Sequence, residues 1–172
     1  MQHDREIERQ FRLLRPAAII IAEAISKGTL LTSYDIYQAY LPDTGDWTVR
    51  VRRTVSDGQT APVHEQTFKR TVAGIERIEL QTKLDPASYA LIAQHCGATL
   101  HKRRSEILFE GRVWEVDVFL NPSLQGLELV EVEIPSAHTL VLQPDWVGEE
   151  TSHQPQYRNA HLAKRIANEE SP

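Results

Sequence analysis

The residues of this chain best suited to chemistry are charged ones spaced two apart. Read as an extended strand, Glu6-Ile7-Glu8-Arg9-Gln10-Phe11 sends Glu6, Glu8 and Gln10 to one face and Ile7, Arg9 and Phe11 to the other. Val113-Trp114-Glu115-Val116-Asp117-Val118 puts Glu115 and Asp117 on one face, and Val130-Glu131-Val132-Glu133-Ile134 does the same with Glu131 and Glu133. Other segments carry the opposite sign: Arg50 and Arg52 alternate with Val49 and Val51, Thr67 shares a face with Lys69, and Lys102 stands two residues before Arg104. Like charges stacked across strands are destabilising, so rows of carboxylates ask for a cation. Oxygen donors without cysteine or clustered histidine select a hard ion, Mg2+ or Mn2+ rather than zinc. Arginine pairs offer bidentate contacts to phosphate oxygens, and lysine adds a point charge. For any single strand a solvated outer face is the plain alternative. The segregation of sign from strand to strand favours an acidic wall opposite a basic wall, suited to a metal-bound phosphate chain.

Seven histidines show no ligand spacing, and Cys96 reads as a structural helix residue. No Ser/His/Asp or Cys/His constellation is present, and none is required. In phosphoryl transfer the protein mostly positions the reactants and neutralises charge, with metal ions on the phosphate oxygens.

The elements that must position these residues follow from alternation and turn chemistry. The first strand extends to about Leu14. Pro16 then opens a very apolar helix over 17–27, stopped by Gly28. Strands are expected at 30–41, 47–54, 63–69 and 75–82, divided by Gly- and Pro-containing turns. Asp85-Pro86 starts a second helix, with Tyr89, Leu91, Ile92 and Cys96 as its apolar side and Gly97 as its end. Strands at 100–109, 112–120 and 127–134 bring the total to eight. Pro135, Pro144 and Pro155 break up the region beyond, and 159–168 forms a last helix with Leu162, Ala163 and Ile166 on one side; 169–172 reads as a frayed tail. The expected fold is α+β, a mainly antiparallel eight-stranded sheet with a few helices. Closed with its apolar face outward under helices and loops, such a sheet would line its lumen with the charged face.

At 172 residues and 41% hydrophobic content, one domain spanning 1–172 is expected. A single cysteine excludes an intramolecular disulfide framework. The lack of a long apolar run or a charged-then-apolar leader points away from a membrane and towards the cytoplasm. A formal charge of −5 gives no reason to expect a nucleic-acid partner.

With these residues in view, the chain resembles the CYTH domain family, the triphosphate tunnel metalloenzymes, whose members open with a Glu-x-Glu-x-Lys strand and fold as an eight-stranded antiparallel barrel. Glu6-Ile7-Glu8-Arg9 carries that opening. The likeness continues through Gln38-Ala39-Tyr40-Leu41, Thr48-Val49-Arg50-Val51-Arg52, Lys69, Arg77-Ile78-Glu79, Arg104, Val113-Trp114-Glu115-Val116-Asp117-Val118-Phe119, Glu131-Val132-Glu133-Ile134-Pro135-Ser136, Pro144-Asp145-Trp146 and Leu162-Ala163-Lys164, nearly the whole chain, and most resembles the compact bacterial branch. The resemblance implies that Glu6, Glu8, Asp117, Glu131 and Glu133 hold one or two divalent cations, Mg2+ or Mn2+, with Glu79 and Glu115 as adjoining acids. It implies that Arg50, Arg52, Lys69, Arg104 and Lys164 grip a triphosphate, supported by Arg77 and Lys102, and that Glu6, Glu8, Lys69 and Arg104 stand at the reacting centre. Lys164 would lie on a terminal helix closing a tunnel mouth.

Gln10 and Gln81 depart from the pattern, standing where the family has a lysine and a further glutamate. The two losses have opposite sign and leave the tunnel's charge nearly unchanged. They either replace a partnered pair as a unit or alter the orientation of water and phosphate. The leading expectation is a metal-dependent hydrolase of inorganic tripolyphosphate, acting as a monomer or homodimer on a small triphosphate-containing molecule. The alternatives are a catalytically weak polyphosphate- or nucleotide-binding module, and an adenylate cyclase or thiamine triphosphatase of the same family.

Overall fold

A computed structural model describes residues 2–169, so of the expected tail 170–172 lies outside the described residues. The chain runs β1 (Gln2–Leu13), α1 (Ala17–Lys27), β2 (Leu30–Tyr40), β3 (Thr48–Ser56), β4 (Val63–Ala73), β5 (Glu76–Leu84), α2 (Pro86–Ala93), β6 (Leu100–Phe109), β7 (Arg112–Phe119), β8 (Glu128–Glu133), β9 (Val147–Glu150) and α3 (Asn159–Glu169). Neighbours follow the order β5-β4-β3-β2-β6-β7-β8-β1, and the ladders are antiparallel. A further β1–β5 pairing joins the two edges into a closed eight-stranded barrel.

The length of β1 is what permits closure. Its first half pairs with β5, Glu6 opposite Arg77, and its second half pairs with β8, Glu8 opposite Glu133 and Gln10 opposite Glu131. No strand edge among these eight is left open, which removes the exposed ladder that an open sheet must protect.

The ninth strand was expected to be irregular. β9 is four residues long, contains Gly148 and follows Pro144, so it carries no alternation to detect. It adds to the outer end of β1 through Phe11 opposite Glu150 and Leu13 opposite Val147, with an irregular register between.

The apolar face of the barrel points outward and is covered by α1. Phe11, Ile107, Trp114, Val116, Val130 and Val132 pack under Ala17, Ile20 and Ala24, with Trp146 and Val147 closing the side. Trp114 is fully buried, its ring 6.0 Å from Phe11 and 5.9 Å from Trp146, which makes it a packing residue. Gly28 at φ 67° ends α1, as its left-handed stop requires. A second cluster closes one end of the barrel: Leu162, Ala163 and Ile166 of α3 cover Leu100, Phe119 and Leu129.

α2 departs from expectation. Asp85 caps it by accepting from the Ala87 and Ser88 N–H groups, but it ends at Ala93 rather than Gly97 and has no buried residue. Leu91 is exposed, and Tyr89 meets the His64 ring at 4.6 Å. Among the described residues no helix is long and apolar enough to cross a membrane.

Candidate active site

Alternation along the barrel strands brings the charged residues into one lumen, a cavity of about 320 Å3. Glu6, Glu8 and Gln10 line it from β1, Arg50 and Arg52 from β3, Lys69 from β4, Arg77 and Glu79 from β5, Lys102 and Arg104 from β6, Glu115 from β7, and Glu131 and Glu133 from β8. Twelve of the fourteen ionisable residues expected or adjoining at this site therefore line one space, although they come from seven strands.

The basic and acidic walls touch. Lys69 Nζ donates to Glu6 at 2.5 Å and lies 2.9 Å from Glu79; Arg77 Nη1 donates to Glu8 at 2.7 Å; Arg52 binds Glu65 at 2.6 Å. Arg104 is the most heavily used group. It donates twice to Asp117 at 2.7 and 2.6 Å, to Glu131 at 2.7 Å and also to Glu115. Lys102, 2% exposed, donates to Asp117 at 2.5 Å.

Two expected residues are placed differently from the rest. Asp117 is 1% exposed, lies behind the lumen lining and has both oxygens occupied by Arg104 and Lys102. Lys164 is exposed and does not line the lumen. The phase of α3 explains this: with Leu162, Ala163 and Ile166 turned onto the barrel end, residue 164 falls on the opposite side.

Burial and mutual charge set the protonation behaviour. Burial above all, then the Glu131 and Glu6 charges, push the Glu8 carboxyl up from its ordinary range. Burial likewise raises Glu115 to about 7, against the pull of Arg104. Glu131 is equally buried, yet Lys102, Arg104 and the Gln10 amide hold it at about 2. Burial and the adjacent Arg104 cation depress the Lys102 ammonium, which Asp117 only partly offsets. Neighbouring carboxylates with divergent affinities for protons are what a shared charged chamber produces.

Among the described residues no three carboxylate, imidazole or thiol side chains gather closely enough to hold an ion as they stand. Glu6, Glu8 and Glu131 are engaged by Lys69, Arg77 and Arg104. The donor set itself fits a hard cation, since it is all oxygen and Glu8 faces Glu133, and Glu115 faces Glu131, directly across their ladders.

Several residues of the lumen and its wall escaped the sequence reading. Glu65 shares the alternation of Thr67 and Lys69 and was detectable; it accepts from Arg52 and from the Gln81 amide at 2.7 Å. Arg158 lines the lumen from the stretch after Pro155, where no period exists to reveal it, and Asn159 does so from the first residue of α3. Three lining groups have a buried polar atom with no hydrogen-bond partner: Arg50 Nε, Arg158 Nε and Asn159 Oδ1. Gln10 and Gln81 are not hydrogen-bonded to each other; Gln10 binds Glu131 and Gln81 binds Glu65.

No family model matches the chain. Individual proteins do. It is 31% identical over 162 residues to the inorganic triphosphatase of Acetivibrio thermocellus, covering 93% of this chain and 94% of that protein. It is 33% identical over 101 residues to the inorganic triphosphatase of Nitrosomonas europaea, covering 56% and 66%. Among solved structures, the hypothetical protein NE1496 superposes with a TM-score of 0.58 at 27% identity, covering 92% of this chain and 97% of that one. A Hippeastrum protein, named for adenylyl cyclase and described as having a dominant triphosphatase activity, shares the fold with a TM-score of 0.52 at 15% identity, covering 76% and 80%. A closed antiparallel barrel with opposed charged walls, and a relative matched over nearly its full length, place this chain in the inorganic triphosphatase family.

Proposed function

We propose that this protein hydrolyses inorganic tripolyphosphate to pyrophosphate and phosphate with the help of a divalent cation, Mg2+ or Mn2+, and that it is a compact CYTH-type enzyme. The observation that carries the reading is the lumen itself, in which Arg50, Arg52, Lys69, Arg77 and Arg104 face Glu6, Glu8, Glu131 and Glu133 across one enclosed space. At about 320 Å3 it suits a compact polyanion.

In this reading Arg50, Arg52, Lys69 and Arg77 bind the phosphate oxygens, and the buried, unpartnered Nε of Arg50 is a donor already free to do so. Arg158 supplies a further cation from the C-terminal segment, in the place expected of Lys164. Glu6, Glu8, Glu131 and Glu133 would hold the divalent ion, which when bound neutralises phosphate oxygens and lowers the pKa of an associated water. Asp117 acts through Arg104 and Lys102, keeping both cations extended towards the lumen. Arg104 stabilises charge on the transferring group, at the cost of loosening a hydrogen bond to Glu115 or Glu131. Enclosure by eight strands limits contact with bulk water, which strengthens each of these interactions.

The test is phosphate release from tripolyphosphate, with and without Mg2+ or Mn2+, at neutral and alkaline pH. Metal-dependent release that exceeds release from ATP and thiamine triphosphate is expected. No turnover with either metal would sink the proposal, and cyclic nucleotide formed from ATP would point to a cyclase instead.

A further inference from the structure

Gln10 is buried on β1, the next inward residue after Glu6 and Glu8. Both ends of its amide are in use. Nε2 donates to Glu131 Oε1 at 2.9 Å and lies 3.4 Å from the Tyr157 carbonyl oxygen, while Oε1 accepts from the Thr151 hydroxyl at 2.9 Å. The main chain repeats the link: Thr151 N–H donates to the Gln10 carbonyl at 2.7 Å, and Gln10 N–H donates to Ser152 Oγ at 3.0 Å. The orientation of the amide is determined by its partners, because a flipped Gln10 would set its oxygen against the Glu131 carboxylate.

The two partners belong to different parts of the molecule. Glu131 is in the barrel wall, on β8. Thr151 and Tyr157 flank the irregular stretch after β9, and the Tyr157 carbonyl belongs to the peptide bond leading into Arg158. Arg158 is held there by its own N–H to the Pro155 carbonyl at 3.0 Å, and its carbonyl accepts from His161 and Leu162 as α3 begins. A neutral amide suits this junction, since one end must donate to a carboxylate and the other accept from a hydroxyl; an ammonium has no acceptor.

We infer that Gln10 is a positioning residue joining the two halves of the site: it holds Glu131 in the wall and seats the 151–159 segment that carries Arg158 to the lumen. The inference rests on the triphosphate reading only for what Arg158 and Glu131 then bind. The seating itself is a property of the ligand-free protein, and a buried hydrogen-bonded network of this kind loses more than one bond when a member is removed.

Gln10→Met, Thr151→Val, the double variant and Thr151→Ser provide the test, measured in EDTA. One readout is amide hydrogen exchange at Tyr157 and Arg158 without ligand; the other is tripolyphosphate affinity by calorimetry. Each of the first two variants is expected to speed exchange by about tenfold and weaken binding by about three- to tenfold, with the double variant no worse than the worse single, as members of one network behave. Thr151→Ser, which keeps the hydroxyl, should restore both. Where turnover is measurable, Gln10→Met should lower kcat through Glu131 as well as raise KM. A lower Tm with wild-type exchange, or effects of the two variants that multiply, would overturn the inference. If the wild type releases no phosphate from tripolyphosphate with Mg2+ or Mn2+, the proposed function fails, while the exchange data still decide whether Gln10 seats the segment.

Discussion

Arg50 and Arg104 occupy the same lumen and have opposite energetic situations. Arg104 binds three carboxylates, Glu115, Asp117 and Glu131, so its removal takes the Arg contact from Glu115 and leaves buried Asp117 with Lys102 and buried Glu131 with the neutral Gln10 amide. Arg50 makes a long contact of 3.4 Å with Gln38 and meets the Tyr40 hydroxyl, feels the Glu79, Glu6 and Glu8 charges without an ion pair to any of them, and its buried Nε has no partner. Breaking a buried pair from one side costs about 3–5 kcal/mol, so Arg104→Leu should lower urea-determined stability by about that amount and abolish activity together with the fold's margin. Arg50→Gln should leave stability within about 1 kcal/mol of wild type, as substitutions outside such networks do, and raise the KM for tripolyphosphate about tenfold or more, equivalent to about 1.4 kcal/mol of binding. Equal stability losses in the two variants would show that the guanidinium of Arg50 is structural. The contrast was not readable from sequence. Alternation assigned both arginines to the inner face, but which of them is engaged depends on the register that brings Arg104 opposite Asp117, and register across a closed barrel is a long-range property.

At the scale of the element, β9 shows how little sequence a strand needs when the structure around it is already fixed. Its hold on β1 includes a bidentate ion pair, Arg9 to Glu150 at 3.0 and 2.5 Å, with Trp146 and Val147 seated in the main core beside it. The Arg9 hydrogen bond holds the Glu150 carboxyl below its ordinary range, against a smaller opposing effect of burial. A carboxyl depressed in the folded state contributes stability that is complete above its unfolded pKa, about 4.3, and is lost as pH falls through the folded value. Glu150→Gln should therefore cost about 1 kcal/mol or less at pH 7, with wild type and variant converging in acid once the carboxyl is protonated in both the folded and the unfolded state. Denaturation curves at pH 7 and in acid check this, and a difference that persists unchanged in acid would assign the effect to packing. The longer elements were legible because their signals were local: Gly28 ended α1, and period-two alternation ran through β3, β7 and β8. α2 misled because a good cap, Asp85, and an apolar composition indicate a helix without indicating that it is buried; Leu91 faces solvent. The 151–158 segment had neither alternation nor helical period, so Arg158 could be found only in three dimensions.

Considered whole, the barrel carries its polar groups inside and its packed apolar layer outside, and its lumen is held together in the ligand-free state by ion pairs that cross strands. Lys69 bridges Glu6 on β1 and Glu79 on β5, and Arg104 on β6 reaches Glu131 on β8. A polyanion competing for the basic side chains would strand carboxylates, and a divalent cation competing for the carboxylates would strand basic groups. Either alone leaves buried charge uncompensated, which is the costly condition. Together they replace one set of neutralised pairs with another. Binding of the two ligands should accordingly be cooperative, each raising the affinity for the other by the same factor. In thermal unfolding, tripolyphosphate with Mg2+, under conditions where turnover is slow, should raise Tm by about 5–10 °C at about a hundredfold excess over Kd, given about 2.7 kcal/mol of linkage at that excess and about 2–4 °C per kcal/mol for a chain of this size. Either component alone should give distinctly less than half of that shift, and EDTA should return the tripolyphosphate sample to its metal-free value. Shifts that simply add would mean that anion and cation occupy the chamber independently, and the exchange of ion pairs between the two walls would then be the wrong account of how this site works.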